Sequence, residues 1–230
     1  MQTNIRLYLF LSLFTAGMIS ALYSCTNPTN HSGAADAAGA PLERLLAGNE
    51  RFNHFTSVHP DEDLKHRLQE AEKQHPFAVV LTCSDSRVAP ELIFDQGIGD
   101  LFVIRTAGNI IGGVELGSIE YAVEHLGVRL LVVMGHENCG AVKAFVEGGK
   151  APGHIQDIID SLNQEQEIRS IPLTDSQRLD HCITANVQHG MRQLLSQSPL
   201  IREKAEKKEL QIVGMKYNLH DFKVEQVALY

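Results

Sequence analysis

Three short runs rich in Val, Ile and Leu, Phe77–Thr82, Asp100–Arg105 and Leu130–Gly135, stand in the middle of the chain. Apolar runs of that length, bounded by turn-forming or charged residues, predict strands, and the lack of polar alternation predicts burial on both faces. Between and after them the period lengthens. Glu115–Leu126 reads as a helix, and Cys139–Glu147 as a helix ending at Gly148-Gly149. Upstream, Leu42, Leu45, Leu46 and Phe52 recur at helical spacing within Leu42–Phe55, and Asp63–Gln74 continues as a polar, charged helix. Downstream, the pattern predicts helices over Gly153–Gln166, Ser176–Ser196 and Pro199–Lys207, then strands over Glu209–Tyr217 and Lys223–Leu229. Strands alternating with helices imply an α/β fold: a mostly parallel β-sheet flanked by helices, with the loops after the first and third strands meeting at one place.

The first two dozen residues form a separate unit. Arg6 lies in a short polar start, and the apolar stretch Leu7–Leu22 is broken by Ser12, Thr15, Gly17 and Ser20, the pattern of a secretion leader. At its end, Leu22-Tyr23-Ser24-Cys25 resembles the lipobox of bacterial lipoproteins, in which the Cys is acylated; Tyr23 is larger than that pattern usually carries. An uncleaved anchor or a plain secretory leader is the alternative. Thr26–Ala40, rich in Asn, Ser, Gly and Ala, reads as a flexible tether. The expected organisation is therefore a lipoprotein signal peptide over 1–24, a tether over 25–40 and a catalytic-size domain over 41–230. This organisation implies export to the periplasm or outer membrane of a bacterium, with membrane contact only through the lipid on Cys25.

Composition narrows the partners. The chain has 230 residues, 43% of them hydrophobic, no Trp and a formal net charge of −8. An acidic chain without a basic stripe offers no footprint for nucleic acid, whose phosphates demand clustered Lys and Arg. Lys204, Lys207 and Lys208 alternate with Glu203, Glu206 and Glu209 and read as a solvated helix face.

Two clusters stand where apolar runs end: Cys83-Ser84-Asp85-Ser86-Arg87 after the first, and His136-Glu137-Asn138-Cys139 after the third. Open α/β sheets place their ligands at such carboxyl ends. Two thiols and an imidazole suit the tetrahedral nitrogen and sulfur preference of zinc and leave one position for water. On an extended chain Cys83, Asp85 and Arg87 project alike, while Ser84 and Ser86 face away. On a helix continuing from the third strand, His136 and Cys139 lie three apart, within reach of one ion. Singly, each has an ordinary structural reading: a Cys as apolar filler, a His hydrogen-bonded at the surface, an Asp–Arg pair in solvent. The conjunction at two strand ends favours a metal site. Export makes disulfides a competing use of sulfur. With Cys25 spent on lipid, Cys83, Cys139 and Cys182 are odd in number, so at least one thiol has another role. Cys182 falls in a predicted helix and reads as core; a Cys83–Cys139 disulfide is the rival assignment.

The two clusters, with Gly135 before and Gly140 after the second, resemble the β-class carbonic anhydrases. The resemblance runs from Leu42 to Val227. Within it, Cys-Ser-Asp-Ser-Arg-Val, Gly-Asp-Leu-Phe-Val-Ile-Arg, Ala-Gly-Asn, Ser-Ile-Glu-Tyr-Ala-Val and Gly-His-Glu-Asn-Cys-Gly-Ala-Val stand in the family's order and spacing. It implies reversible hydration of carbon dioxide to bicarbonate and a proton, by hydroxide on one Zn2+ per subunit held by Cys83, His136 and Cys139. Two thiolates cancel the ion's charge, so activity is expected to rise toward alkaline pH. Asp85 is either a fourth ligand in a closed state or, gripped bidentately by Arg87, an acceptor for the hydroxide proton. The resemblance also puts Gln74, Phe102 and Tyr121 in the substrate pocket, often reached from a neighbouring subunit. Without it, Gln74 reads as an exposed polar residue and the two aromatics as core. A homodimer or tetramer is implied, with Leu42–Phe55 as an N-terminal helical arm around the partner. The Trp-bearing bicarbonate pocket of some relatives has no counterpart in this Trp-free chain, and Asn218-Leu219-His220-Asp221-Phe222 lacks the glycine common in that turn. Two other readings use the same residues: a carbon disulfide or carbonyl sulfide hydrolase on the same zinc site, and a non-catalytic module, structural zinc with Asp85 as permanent fourth ligand or a thiol-redox protein.

Overall fold

Continuous apolar runs become strands buried along their length. β1 (Ala78–Cys83) is buried at all six positions; β2 (Leu101–Thr106) lies beside it, half-buried at most positions; β3 (Leu130–His136) is buried at all seven. β4 (Gln211–Tyr217) and β5 (Val224–Leu229) complete a five-stranded sheet in the order β2-β1-β3-β4-β5. The first four strands are parallel and β5 is an antiparallel edge. The computed structural model describes residues 41–174 and 176–230.

This strand order turns back between β1 and β3, and such a switch point opens a crevice at the carboxyl ends of the two strands. Cys83 ends β1 opposite Thr106, and His136 ends β3 opposite Tyr217. One residue short of Cys83, the Thr82 hydroxyl donates to the Met134 carbonyl at 2.9 Å, locking β1 to β3 beneath the crevice.

Helices cover both faces, as the two-sided burial requires. The chain runs α1 (Pro41–Asn53), α2 (Leu64–Glu70), α3 (Pro90–Ile93), α4 (Gly113–Glu124), α5 (Gly140–Glu147), α6 (Ile155–Gln164), α7 (Gln166–Arg169), α8 (Arg178–Gln197) and α9 (Pro199–Glu206). Val79, Leu81, Leu131, Val133 and Ile212 face α4, α8 and α9. Their alternates Ala78, Val80, Val132, Met134 and Val213 face Leu45 of α1 and Ile93 of α3. Each such side chain contributes about 1.5–3 kcal/mol on full burial, so a one-residue slip of a strand is heavily disfavoured. A third cluster, Val142, Leu162, Ile168 and Ile183 from α5–α8, packs around Cys83 and Cys139 and roofs the crevice.

Some element bounds differ from expectation. The predicted helix over 153–166 breaks at Glu165, whose ψ of 111° is extended, giving α6 and α7. The predicted helix over 63–74 contracts to α2, capped by the Asp63 carboxylate, which accepts from the His66 N–H at 2.9 Å. The glycine-free turn closes by another device: Asn218 Oδ1 accepts from the His220 N–H at 2.8 Å, and Phe222 takes φ +62°. Asn49 of α1 holds that turn, donating to the Phe222 and Ile93 carbonyls and accepting from the Val224 N–H. α1 thus docks on the sheet of its own chain.

Candidate metal centre

The crevice at the ends of β1 and β3 gathers Cys83, His136 and Cys139. Their ligand atoms lie within 4.8 Å of one another, and all three residues are buried. His136 and Cys139 do not share a helix face, as the spacing had suggested. His136 is still paired in β3, Asn138 turns left-handed at φ +53°, and Cys139 is the N-cap of α5. Nor does the chain stay extended after Cys83: the Val88 N–H donates to the Asp85 carbonyl at 3.0 Å, and this turn, rather than strand alternation, brings Asp85 and Arg87 together.

His136 Nδ1 lies 2.8 Å from the Glu137 carbonyl. A carbonyl only accepts, so Nδ1 carries the proton and Nε2 presents a bare lone pair. That Nε2 is buried, has no hydrogen-bond partner, and sits 3.9 Å from Asp85 Oδ2. A buried acceptor left so costs about 1–3 kcal/mol; a cation held by it and the two sulfurs would satisfy it. Zinc bonds of about 2.0–2.3 Å set tetrahedral ligands roughly 3.5–3.8 Å apart, so the three atoms need only a small contraction.

The sulfurs divide one proton. The neighbouring Cys139 thiol holds the Cys83 thiol down against the opposing effect of burial, with smaller help from the Gly108 N–H. Sharing with Cys83, and then burial, push Cys139 up. A divalent ion bound by both sulfurs would take the place of that proton. Both residues are free thiols, not the disulfide that competed for them.

Arg87 grips Asp85 through both oxygens, Nε to Oδ1 at 2.9 Å and Nη2 to Oδ2 at 2.7 Å, with its backbone N–H adding a third bond at 3.0 Å. The guanidinium holds the Asp85 carboxyl well below the usual carboxylate range. Arg87 is itself 55% exposed, so the grip faces solvent on its outer side.

Two supports escaped the residue-by-residue reading. Arg105, opposite Thr82 in the register, donates to the Cys83 carbonyl at 3.2 Å and the Asp85 carbonyl at 2.7 Å. A charged residue closing an apolar parallel strand was the available signal. Gly108, in a 3-10 turn over Ala107–Asn109, donates its N–H to Cys83 Sγ at 3.3 Å. Its φ of +70° and the 2.9 Å that would separate an added Cβ from Ala141 Cβ require glycine there.

The expected pocket residues lie elsewhere in the single chain. Gln74 is exposed after α2. Phe102 and Tyr121 meet each other, ring centroids 6.3 Å apart, with Tyr121 45% exposed. Phe102 is opposite Val79, four residues before Cys83, about 13 Å along the strand. Cys25 lies outside the described residues.

A family model described as carbonic anhydrase matches residues 78–224. Carbonic anhydrase 2 of Mycobacterium tuberculosis is 41% identical over 189 residues, which cover 79% of this chain and 89% of that protein. Among solved structures, the β-carbonic anhydrase CcaA superposes with a TM-score of 0.66 at 27% identity, covering 84% of this chain and 92% of that one. One of two tetrameric β-carbonic anhydrases from the ascomycete Sordaria macrospora gives 0.62 at 26% identity, over 80% and 95% of the respective chains.

Proposed function

The chain belongs to the β-class carbonic anhydrases, and from that premise we propose that it interconverts carbon dioxide and bicarbonate at a zinc ion held by Cys83, His136 and Cys139. The observation that carries this reading is the bare, buried Nε2 of His136 set between two thiols and beside a restrained carboxylate. A zinc ion there supplies Lewis acidity, which makes water nucleophilic near neutral pH. The protein's own groups do the rest. Glu137, through its carbonyl, fixes the tautomer of His136. Asp85 remains ionised through the working range and would accept a hydrogen bond from the nucleophile, orienting its lone pair toward carbon dioxide. Arg87, holding both Asp85 oxygens, keeps that carboxylate from taking the fourth position itself. This grip favours the catalytic reading over a structural zinc module with Asp85 as permanent ligand.

Gln74, Phe102 and Tyr121 serve the substrate pocket of a neighbouring subunit in a homodimer or tetramer. The separation of Phe102 from Cys83 along the strands of one chain and the tetrameric state of the Sordaria relatives support this assignment. The leader pattern and Cys25 support an exported, lipid-anchored form.

Metal analysis of the purified protein with stopped-flow hydration across pH tests the proposal. One zinc per chain and a rate rising toward alkaline pH are expected. Bound zinc with no hydration at any pH would favour the structural module. Turnover of carbonyl sulfide or carbon disulfide in place of carbon dioxide would reassign the substrate, and a rate peaking well below neutrality would refute the proton assignment.

A further inference from the structure

In the cluster around Cys83, α8 carries a polar residue among apolar ones. Asn186 is 3% exposed and follows Cys182, Ile183 and Ala185, all buried. A buried amide in such a setting is costly unless bonded. Its Nδ2 donates to the Gly108 carbonyl at 2.8 Å and, at longer range, to Asn109 Oδ1 at 3.4 Å. The turn it grips needs holding: Gly108 and Asn109 are successive left-handed residues, φ +70° and +47°, a conformation that side chains on Asn and larger residues adopt at a cost. On its other side the turn abuts Ala141 of α5. One residue therefore links two bonds. The carbonyl of Gly108 accepts from Asn186, and its N–H donates to Cys83 Sγ.

We propose that Asn186 is a positioning residue for the metal centre, holding the Gly108 N–H on Cys83 Sγ so that this ligand gives up less charge to the ion. The proposal rests on the zinc reading above. An N–H bond to a thiolate draws electron density from the sulfur, offsetting part of the charge neutralisation that two thiolates impose. Partners that orient metal ligands in this way typically set affinity by tenfold to a hundredfold.

The test replaces Asn186 with Leu, which has the same branching and no donor, and reads two quantities besides activity in the full chain. In the cobalt-substituted protein, the sulfur-to-cobalt charge-transfer band of Asn186→Leu moves to longer wavelength, because an unbonded sulfur gives up its electron more easily. With the turn released, Cys83 is no longer held in place, and zinc passes to a competing chelator about tenfold faster or more despite the stronger donation of an unbonded sulfur. Leu194→Ala, at a buried position on the same helix, controls for packing loss and leaves both readouts at their parent values. If Asn186→Leu does not fold, Asn186→Ala carries the same measurement. An unshifted band in the folded variant, or the same shift in Leu194→Ala, overturns the proposal. Parent protein that binds neither zinc nor cobalt fails earlier, at the metal centre itself.

Discussion

The loop after β1 adds side-chain ties to its backbone turn, whereas the passage after β3 through His136 is held by backbone. Over Cys83–Arg87, the Arg105 guanidinium ties down two carbonyls and Arg87 ties down the Asp85 carboxylate. Over His136–Cys139, the Glu137 carbonyl fixes His136, the Glu137 N–H donates to the Tyr217 carbonyl at 2.8 Å, and the Cys139 carbonyl already accepts from Lys143 in α5. The second loop is an uninterrupted passage from strand to helix and cannot shift without unpairing both. The first depends also on two guanidinium groups, and its one ion pair, Arg87 with Asp85, reaches solvent. On the proposed zinc reading, fixed geometry suits the residues that would grip the ion. On the same reading an ionic latch suits Asp85, whose position would decide whether a fourth site is open.

Breaking the backbone-held loop has the largest expected effect. His136→Ala removes the one nitrogen ligand, and zinc content is expected to fall from about one per chain to below about a tenth, with hydration lost by at least about a thousandfold. Metal analysis and stopped-flow rates measure both. Breaking the latch is the next in size and differs in kind. Arg87→Ala is expected to keep its zinc while hydration falls about a hundredfold, within the range for losing a positioned proton acceptor. A crystal structure of the variant should show Asp85 on the metal. Zinc lost together with activity in Arg87→Ala would erase the distinction between the loops, and a fully active variant with water on zinc would remove the latch.

The contrast also explains what the chain revealed before folding. β1 and β3 were legible because seven or fewer consecutive apolar residues between turn formers have few other fates, and the rare donors Cys83, His136 and Cys139 follow them directly. Asp85 and Arg87 were legible as partners although the geometry joining them was not: a turn, set by backbone bonds, replaced the expected extended alternation. Arg105 and Gly108 act on Cys83 from 22 and 25 residues away, and nothing in local spacing reports such a contact. The break at Glu165 was hidden because the apolar pattern of Ile159, Leu162 and Ile168 continues across it. Gln74, Phe102 and Tyr121 gain a role at the site only if a second chain supplies it, so neither one sequence nor one folded chain contains that contact.

The smallest expected effect sharpens the comparison from the other side. Glu137 offers a side chain on the backbone-held loop, and it is not idle: Oε2 accepts from the Leu219 N–H at 3.0 Å and faces His220 Nδ1 at 2.7 Å, tying the loop to the turn before β5. Yet the bond that orients His136 goes to the Glu137 carbonyl, which substitution leaves in place. Glu137→Gln keeps an acceptor for Leu219 and weakens only a partly exposed ion pair, of the kind worth about 1 kcal/mol or less. Zinc content and hydration are expected to stay within about twofold of the parent, with a melting temperature lower by a few degrees at most. A chelator assay on Glu137→Gln is therefore the most discriminating check on the β3 loop. Zinc released as readily as from an Arg105→Leu variant would mean that both loops lean on side chains, and that the ion's stable grip has its origin elsewhere than in the strand-to-helix backbone.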